Sequence, residues 1–249
     1  GSEMCIRDRT KADAESGYDP THPWKNRDPR FYKTIMFDGV KWKSTGGAGG
    51  TAELFTGGRE SEEANEKKGC FTAYMNSKLC PQLMNTVDGY KENNIMILSL
   101  MRLADVYLMY AEATAVGYNG PKGKAATYSL TAEEALNKIR ERAGIALLSN
   151  INMEKIRHER RVELAFEGHR FWDMKRWRIA HLDVTQGGLN GFRGTALYPW
   201  YDIRDGKYVF ERGRNTPKQL RIFLEKNYYT KINQDDMNSN PNLIQNPGY

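Results

Sequence analysis

Between Arg102 and Ala115 the apolar side chains return every three or four residues. Leu103, Val106, Tyr107, Tyr110 and Ala111 fall on one face of a predicted helix. Ala104, Ala111, Ala113 and Ala115 are small enough for a second helix to come close. The stretch TAEEALNKIRERAG (131–144) predicts another helix with both ends marked: Thr131 and Glu134 form a capping box, and Gly144 stands where a helix turns left-handed and stops. A third helical pattern starts near Asn152 and runs to about Ala180. Inside it, RVELAFEGHRFWDMKRW (161–177) places Glu163, Glu167 and Arg170 on one arc with Arg160. Val162, Ala165, Phe166 and Trp172 form an apolar arc, and Leu164, Phe171 and Met174 widen it. A helix apolar over so much of its circumference is expected to be buried, with Trp172 and Trp177 in the core. Gly168, unfavourable in a helix interior, is expected to mark close packing of another element. The helices pair in sequence, without a clean 34-residue repeat.

Outside residues 101–180 the pattern changes. Residues 10–30 are polar and punctuated by Pro20, Pro23 and Pro29, which predicts irregular structure. RFYKTIMFDGVKW (30–42) reads as a β-ribbon turning at Asp38-Gly39. Residues 43–69, rich in glycine and charge, predict a long surface loop, a length associated with function. Residues 182–215 read as loop plus a hairpin at Asp205-Gly206, and 226–249 as an irregular tail. The opening GSEMCIRDR (1–9) resembles a cloning or sequencing scar and is set aside. The sequence proper is expected to begin inside a larger protein.

Composition narrows the function classes. A net charge of +6 over 249 residues invites nucleic acid, but acidic residues are interleaved with the basic ones throughout. The most apolar stretch, Ile95 to Ala113, is interrupted by Arg102, Asp105 and Glu112, so it does not read as a membrane span. Cys70 and Cys80 are too far apart for a CxxC metal site and are expected either to pair as a disulfide or to remain buried thiols.

Catalytic motifs fail one by one. HERRV (158–162) has Val162 where a zinc-binding HExxH needs its second histidine. Gly47, Gly49 and Ala52 loosely fit a dinucleotide fingerprint but lack the flanking βαβ pattern. His169 lies near the apolar arc with Asp173 one turn on, the setting of a core histidine. Glu163 and Glu167 could serve as acid and base, yet arginines at helical spacing lower carboxylate pKa values, the wrong direction for an acid at neutral pH. Arg160, Glu163, Glu167 and Arg170 are therefore expected to form a structural ion-pair network, with no metal and no cofactor.

Five stretches, taken together and in order, resemble the SusD/RagB family of outer-membrane lipoproteins. They are RDPRFYKTIMFDG (27–39), MRLADVYLMYAEA (101–113, with Met101 in the leucine place), ALNKIRERAGI (135–145), ERRVELAFEGHRFWDMKRW (159–177) and NPNLIQNPGY (240–249). The resemblance implies a mainly α fold, a tetratricopeptide-like scaffold of helical hairpins with irregular loops and short β-hairpins. It implies residues 10–249 as the C-terminal part of a single domain whose signal, anchoring cysteine and first helix pairs lie outside this sequence. One departure is KIN (231–233) in place of the family's PIP. The implied function is non-catalytic binding of glycans or other oligomeric nutrients at the bacterial outer-membrane surface and delivery to a SusC-like TonB-dependent transporter. The alternatives are a helical scaffold for a protein partner and, third, an enzyme acting on polysaccharide. Glycan-binding relatives use aromatic platforms on loops, which makes Trp42, Tyr198, Trp200 and Tyr201, then Trp24 and Tyr32, the candidate ligand contacts. Packing beneath a loop is the competing role for each.

Overall fold

The computed structural model describes residues 18–42, 50–61, 69–70, 73–79, 99–191, 193–194, 198–202, 204–211 and 218–249. The first element is a helix where a ribbon was expected. α1 (Pro29–Thr34) starts because the Asp28 side chain accepts from the Arg30 amide at 2.8 Å and Pro29 sits in the first turn, where its missing N–H goes unneeded. The chain then extends into β1 (Ile35–Phe37), turns at Asp38-Gly39 and enters β2 (Lys41–Trp42). These two strands do not pair with each other. β2 pairs with β3 (Gly50–Thr51), and β1 pairs antiparallel with β4 (Tyr74–Asn76), Phe37 opposite Tyr74. The Asp38 carboxylate accepts from the Leu54 amide at 2.7 Å and from the Tyr208 hydroxyl, which holds the turn away from a simple hairpin. Residues 50–61, expected within a surface loop, are packed: Ala52 and Leu54 are buried with Met36 and Ala73. The expected scar, residues 43–49 and 62–68, and Cys80 lie outside the described residues. The Cys70 thiol donates to the Tyr74 carbonyl oxygen at 3.3 Å.

The helical scaffold comprises α2 (Leu103–Gly117), α3 (Ala132–Ala143) and α4 (Met153–Glu163). α3 carries the expected ends: Thr131 and Glu134 exchange both bonds of the capping box, and Gly144 takes φ 70°. α2 buries a different face from the expected one. Ala104, Asp105, Leu108, Ala111 and Thr114 turn inward, whereas Leu103, Val106 and Met109 are exposed. The small residues let α3 and α4 approach, and Arg160 reaches Asp105 at 2.5 Å to fix the rotation of α2. Ala111 then joins Ala132, Ala135, Leu136, Ile151 and Ile156, and Leu108 joins Ala104, Ile139 and Leu164, in two adjoining apolar clusters.

The pattern over 152–180 is two helices. After Glu163 the chain leaves helical geometry, Phe166 takes φ 65° and Gly168 φ 82°, and α5 (His169–Arg176) begins. The α4 terminus is held open by charged donors: Lys78 Nζ donates to the Glu163 and Ala165 carbonyl oxygens, and Arg102 Nη2 to that of Glu163. Gly168 is needed for its left-handed backbone, since a β-carbon there would meet nothing within 4 Å. The close packing expected at that position is absent.

The chain divides into two compact units, residues 1–167 with 197–214, and residues 168–196 with 215–249. In the first, β6 (Tyr198–Asp202) and β7 (Lys207–Glu211) form the expected hairpin around Asp205-Gly206. In the second, β5 (Arg193–Gly194) pairs with β8 (Lys218–Leu220), and Met174, Ala180 and Phe223 form a small core. Its last residues are more ordered than expected, with a 3-10 turn over Glu225–Tyr228 and α6 (Gln234–Ser239). Among the described residues no helix is long and apolar enough to cross a membrane.

Candidate functional site

The two glutamates one turn apart sit inside a lattice of cations. Glu163 Oε1 accepts from Arg102 Nη1 and Arg142 Nη2, both at 2.6 Å, and its Oε2 accepts from Arg30 Nη1 at 3.0 Å. Glu167 is gripped by Arg102, Nε to Oε2 at 2.7 Å and Nη2 to Oε1 at 2.8 Å, and by Lys78. Glu159 joins through Arg30 at 2.5 Å and Arg140 at 2.6 Å. These pairs reach beyond the helix face on which a network was expected: their arginines come from α1, α3 and the residue before α2. Arg160 contributes through Asp105 on α2. Arg170 lies on α5 with its guanidinium 5.8 Å from the Trp177 ring. Burial would raise the Glu167 pKa, but hydrogen bonds and charge from Arg102 and Lys78 outweigh it and hold the carboxyl below its usual range. The same carboxylates hold the Arg30 and Arg102 guanidinium groups above their usual range against the opposing effect of burial. Every oxygen of Glu163 and Glu167 already accepts a charged donor, so the arrangement locks helices together and leaves neither group placed to exchange a proton. Among the described residues no group of three or more His, Cys, Asp or Glu converges as a metal would require.

The aromatic candidates separate. Trp24 is 6% exposed, stacked on Phe37 at 5.4 Å and set edge-on to Tyr208 at 4.3 Å. It closes the cluster of Phe31, Ile35 and Val162, so its indole is a packing group and not a platform. Tyr32 is 44% exposed, but its hydroxyl donates to the Trp24 carbonyl oxygen at 2.7 Å and accepts from the Arg27 amide at 3.2 Å. It braces the turn before α1. On the β6–β7 ribbon, Trp200 lies opposite Val209 and Tyr201 opposite Tyr208. Neighbouring strand residues point to opposite faces, so Trp200 and Tyr201 do not share one surface. Trp200 is 39% exposed beside the exposed Val209; Tyr201 is 42% exposed and packs on Tyr208 at 4.8 Å. Tyr208 in turn donates to Asp38, and burial together with that carboxylate raises its phenol above the ordinary range. The ribbon is thus tied to the first unit's core through one face and presents Trp200 on the other. The side chains of Trp42 and Tyr198 lie outside the described residues, although their backbones are placed in β2 and β6.

One aromatic surface escaped the pattern. Trp172, expected in the core, is 65% exposed, and Phe171 beside it is also exposed, with the Lys175 ammonium about 5.5 Å from both rings. A wheel drawn through 161–177 as one helix carries α4's phase past the break at residues 164–168 and turns α5 by the wrong angle. The signal that could have found it is Gly168 itself, followed by a histidine and a fresh run of helix formers.

A model of the SusD family matches residues 2–249. Over 134 residues, 53% of this chain, the sequence is 40% identical to a SusD-like protein of Bacteroides ovatus, and the match covers 23% of that protein. A solved SusD-like protein of Bacteroides fragilis superposes with a TM-score of 0.62 at 25% identity, over 91% of this chain and 40% of its own. A second, described as a SusD-like carbohydrate binding protein of the same species, gives 0.62 at 23% identity over 95% of this chain and 45% of its own. The chain spans less than half the length of each of these relatives.

Proposed function

This chain belongs to the SusD family, and from that premise we propose that it is part of a glycan-binding protein of the bacterial outer-membrane surface. It passes its ligand to a SusC-like TonB-dependent transporter and performs no chemistry on it. The observation that carries the reading is the family match across nearly the whole sequence, residues 2–249. The side chains support it: the carboxylates that might have acted as acid and base are fully engaged by arginine and lysine, while large aromatics stand partly in solvent. A tryptophan face covers the apolar C–H face of a sugar ring and gains from the area it removes from water. Trp200 and Tyr201, on opposite faces of the ribbon, with Tyr198 on the same strand and Trp42 on β2, are the candidate ligand contacts of this reading. Native gel electrophoresis through plant, host and microbial polysaccharides tests it. Retardation by at least one glycan, without release of reducing ends, is expected. Absence of retardation in every gel, or release of reducing ends, contradicts it.

A second reading, a helical scaffold for a protein partner, has one observation in its favour. Leu103, Val106, Met109 and Val116 are exposed along α2. A row of apolar side chains on a helix is a surface that another helix can cover.

A further inference from the structure

A cavity of about 350 Å³ opens in the second unit, beyond the end of α5 and against the 3-10 turn at Glu225–Tyr228. Its walls include Arg178, His181, Glu225, Lys226, Tyr228 and Tyr229. The charges do not balance. The Arg178 guanidinium carbon stands 4.4 Å from the centre of the Tyr228 ring and 5.9 Å from that of Tyr229, and among the described residues no carboxylate or carbonyl accepts from its N–H groups. Lys226 likewise meets a ring, that of Tyr249 at 5.1 Å, and no carboxylate among the described residues. Glu225, the one acidic side chain of the wall, approaches His181 Nε2 at 3.7 Å. His181 is held from its other side, with Nδ1 2.8 Å from the Tyr228 hydroxyl, so the wall is braced.

The backbone adds a second observation. α5 ends at Arg176 with Trp177 as its C-cap, and the next residue, Arg178, takes φ 58°. That left-handed position after a helix is the usual place of glycine, because a β-carbon is strained there. A strained residue that persists at the rim of a cavity points to a use for its side chain. That backbone carries a guanidinium whose carbon lies 4.4 Å from the centre of a phenol ring. Such a planar fork matches a carboxylate through two parallel hydrogen bonds.

We propose that this cavity binds an acidic sugar, a uronate unit of an oligosaccharide. Arg178 takes the carboxylate in a two-pronged contact, Lys226 supplies the second positive charge, and the exposed Tyr229 ring lies against the C–H face of the pyranose. The inference rests on the glycan-binding reading and adds the ligand's charge to it. A sulfated sugar offers the same negative charge without the planar fork, so it forms a separate arm of the test.

The test is calorimetric titration of the 249-residue chain with tetragalacturonate, with neutral galactotetraose and with a sulfated galactotetraose. Arg178→Gln and Lys226→Gln are compared with the parent, with melts in parallel. Arg178→Gly removes the same donors while relaxing the backbone, and stands in if glutamine destabilises the fold. The expected result is tetragalacturonate binding that weakens with salt and falls more than tenfold in each variant, and a smaller effect of the variants on any binding of the other two. Equal tetragalacturonate affinity in parent and variants overturns the proposal. So does tighter binding of the sulfated sugar with the same dependence on Arg178. Binding of galactotetraose alone overturns the acidic pocket and leaves the glycan reading standing, whereas failure of every glycan overturns both.

Discussion

Substituting Glu163, whose side chain is 2% exposed, with glutamine would leave Arg30, Arg102 and the more exposed Arg142 facing a neutral amide. Removing one partner of a buried ion pair typically costs about 3–5 kcal/mol, so Glu163→Gln should lower the denaturation midpoint sharply. Chemical unfolding followed by circular dichroism checks this; a midpoint within error of the parent would show that the lattice is not structural. Glu167 supplies the pH dependence. Its folded pKa is lowered, so its contribution is fully present above the unfolded value of about 4.3 and is lost as pH falls through the folded one. Melts between pH 6 and pH 2 should show that loss reduced in Glu167→Gln. Helical spacing suggested Arg160 and Arg170 as partners of Glu163 and Glu167, whereas Arg30, Arg102, Arg142 and Lys78 hold them; periodicity says nothing about partners such as Arg102 and Arg30, 61 and 133 positions from Glu163. Trp24 takes the packing role that competed with ligand contact, whereas Trp172, expected in the core, is exposed, and one reason covers both. Burial depends on which element covers a ring, and Phe37 and Tyr208 cover Trp24 while nothing described covers most of Trp172. Trp24→Ala should therefore cost about 3–5 kcal/mol of stability. Trp172→Ala should change it by only about 0.5 kcal/mol or less. Paired melts decide both.

Caps and turns at the ends of elements were the most readable features, since their chemistry is local. Thr131, Glu134 and Gly144 bound α3 as the sequence predicts, and Asp205-Gly206 turns the β6–β7 ribbon. What was lost was phase. The break at residues 164–168 resets the helical register between α4 and α5, and α2 turns its small residues inward because close approach of α3 and α4 and the Asp105–Arg160 pair outweigh burial of Leu103 and Val106. The two cases make distinct predictions. Gly168→Ala should destabilise by about 1–2 kcal/mol through its left-handed backbone alone, and Gly168→Asn by less, as asparagine tolerates that conformation. Equal losses for alanine and asparagine would indicate packing instead. Val106→Lys, on the outward row of α2, should leave the melting temperature nearly unchanged and reduce concentration-dependent light scattering. A drop in stability would place Val106 in a contact that its exposure does not reveal.

At the scale of the molecule, the mainly helical character and the β6–β7 ribbon follow from hydrophobic spacing and turn residues, whereas the ribbon expected over residues 30–42 does not form. The division into two compact units does not follow from them, because the boundary at Gly168 falls inside what reads as a continuous helical run. The candidate contacts could be named by residue type, aromatics on loops and ribbons, of which Tyr32, Trp200 and Tyr201 are exposed and Trp24 is buried. The central claim is that this chain binds glycan through aromatic faces without altering it. Titration calorimetry of the chain and of Trp200→Ala and Tyr201→Ala against a panel of oligosaccharides, with melts in parallel, tests it most directly. The account predicts binding of at least one glycan, recovery of that glycan unchanged, and loss of about 2 kcal/mol or more of binding free energy, over tenfold in affinity, in at least one variant whose melt is close to the parent's. Binding that survives both substitutions in folded protein, or hydrolysis of the bound glycan, would contradict it.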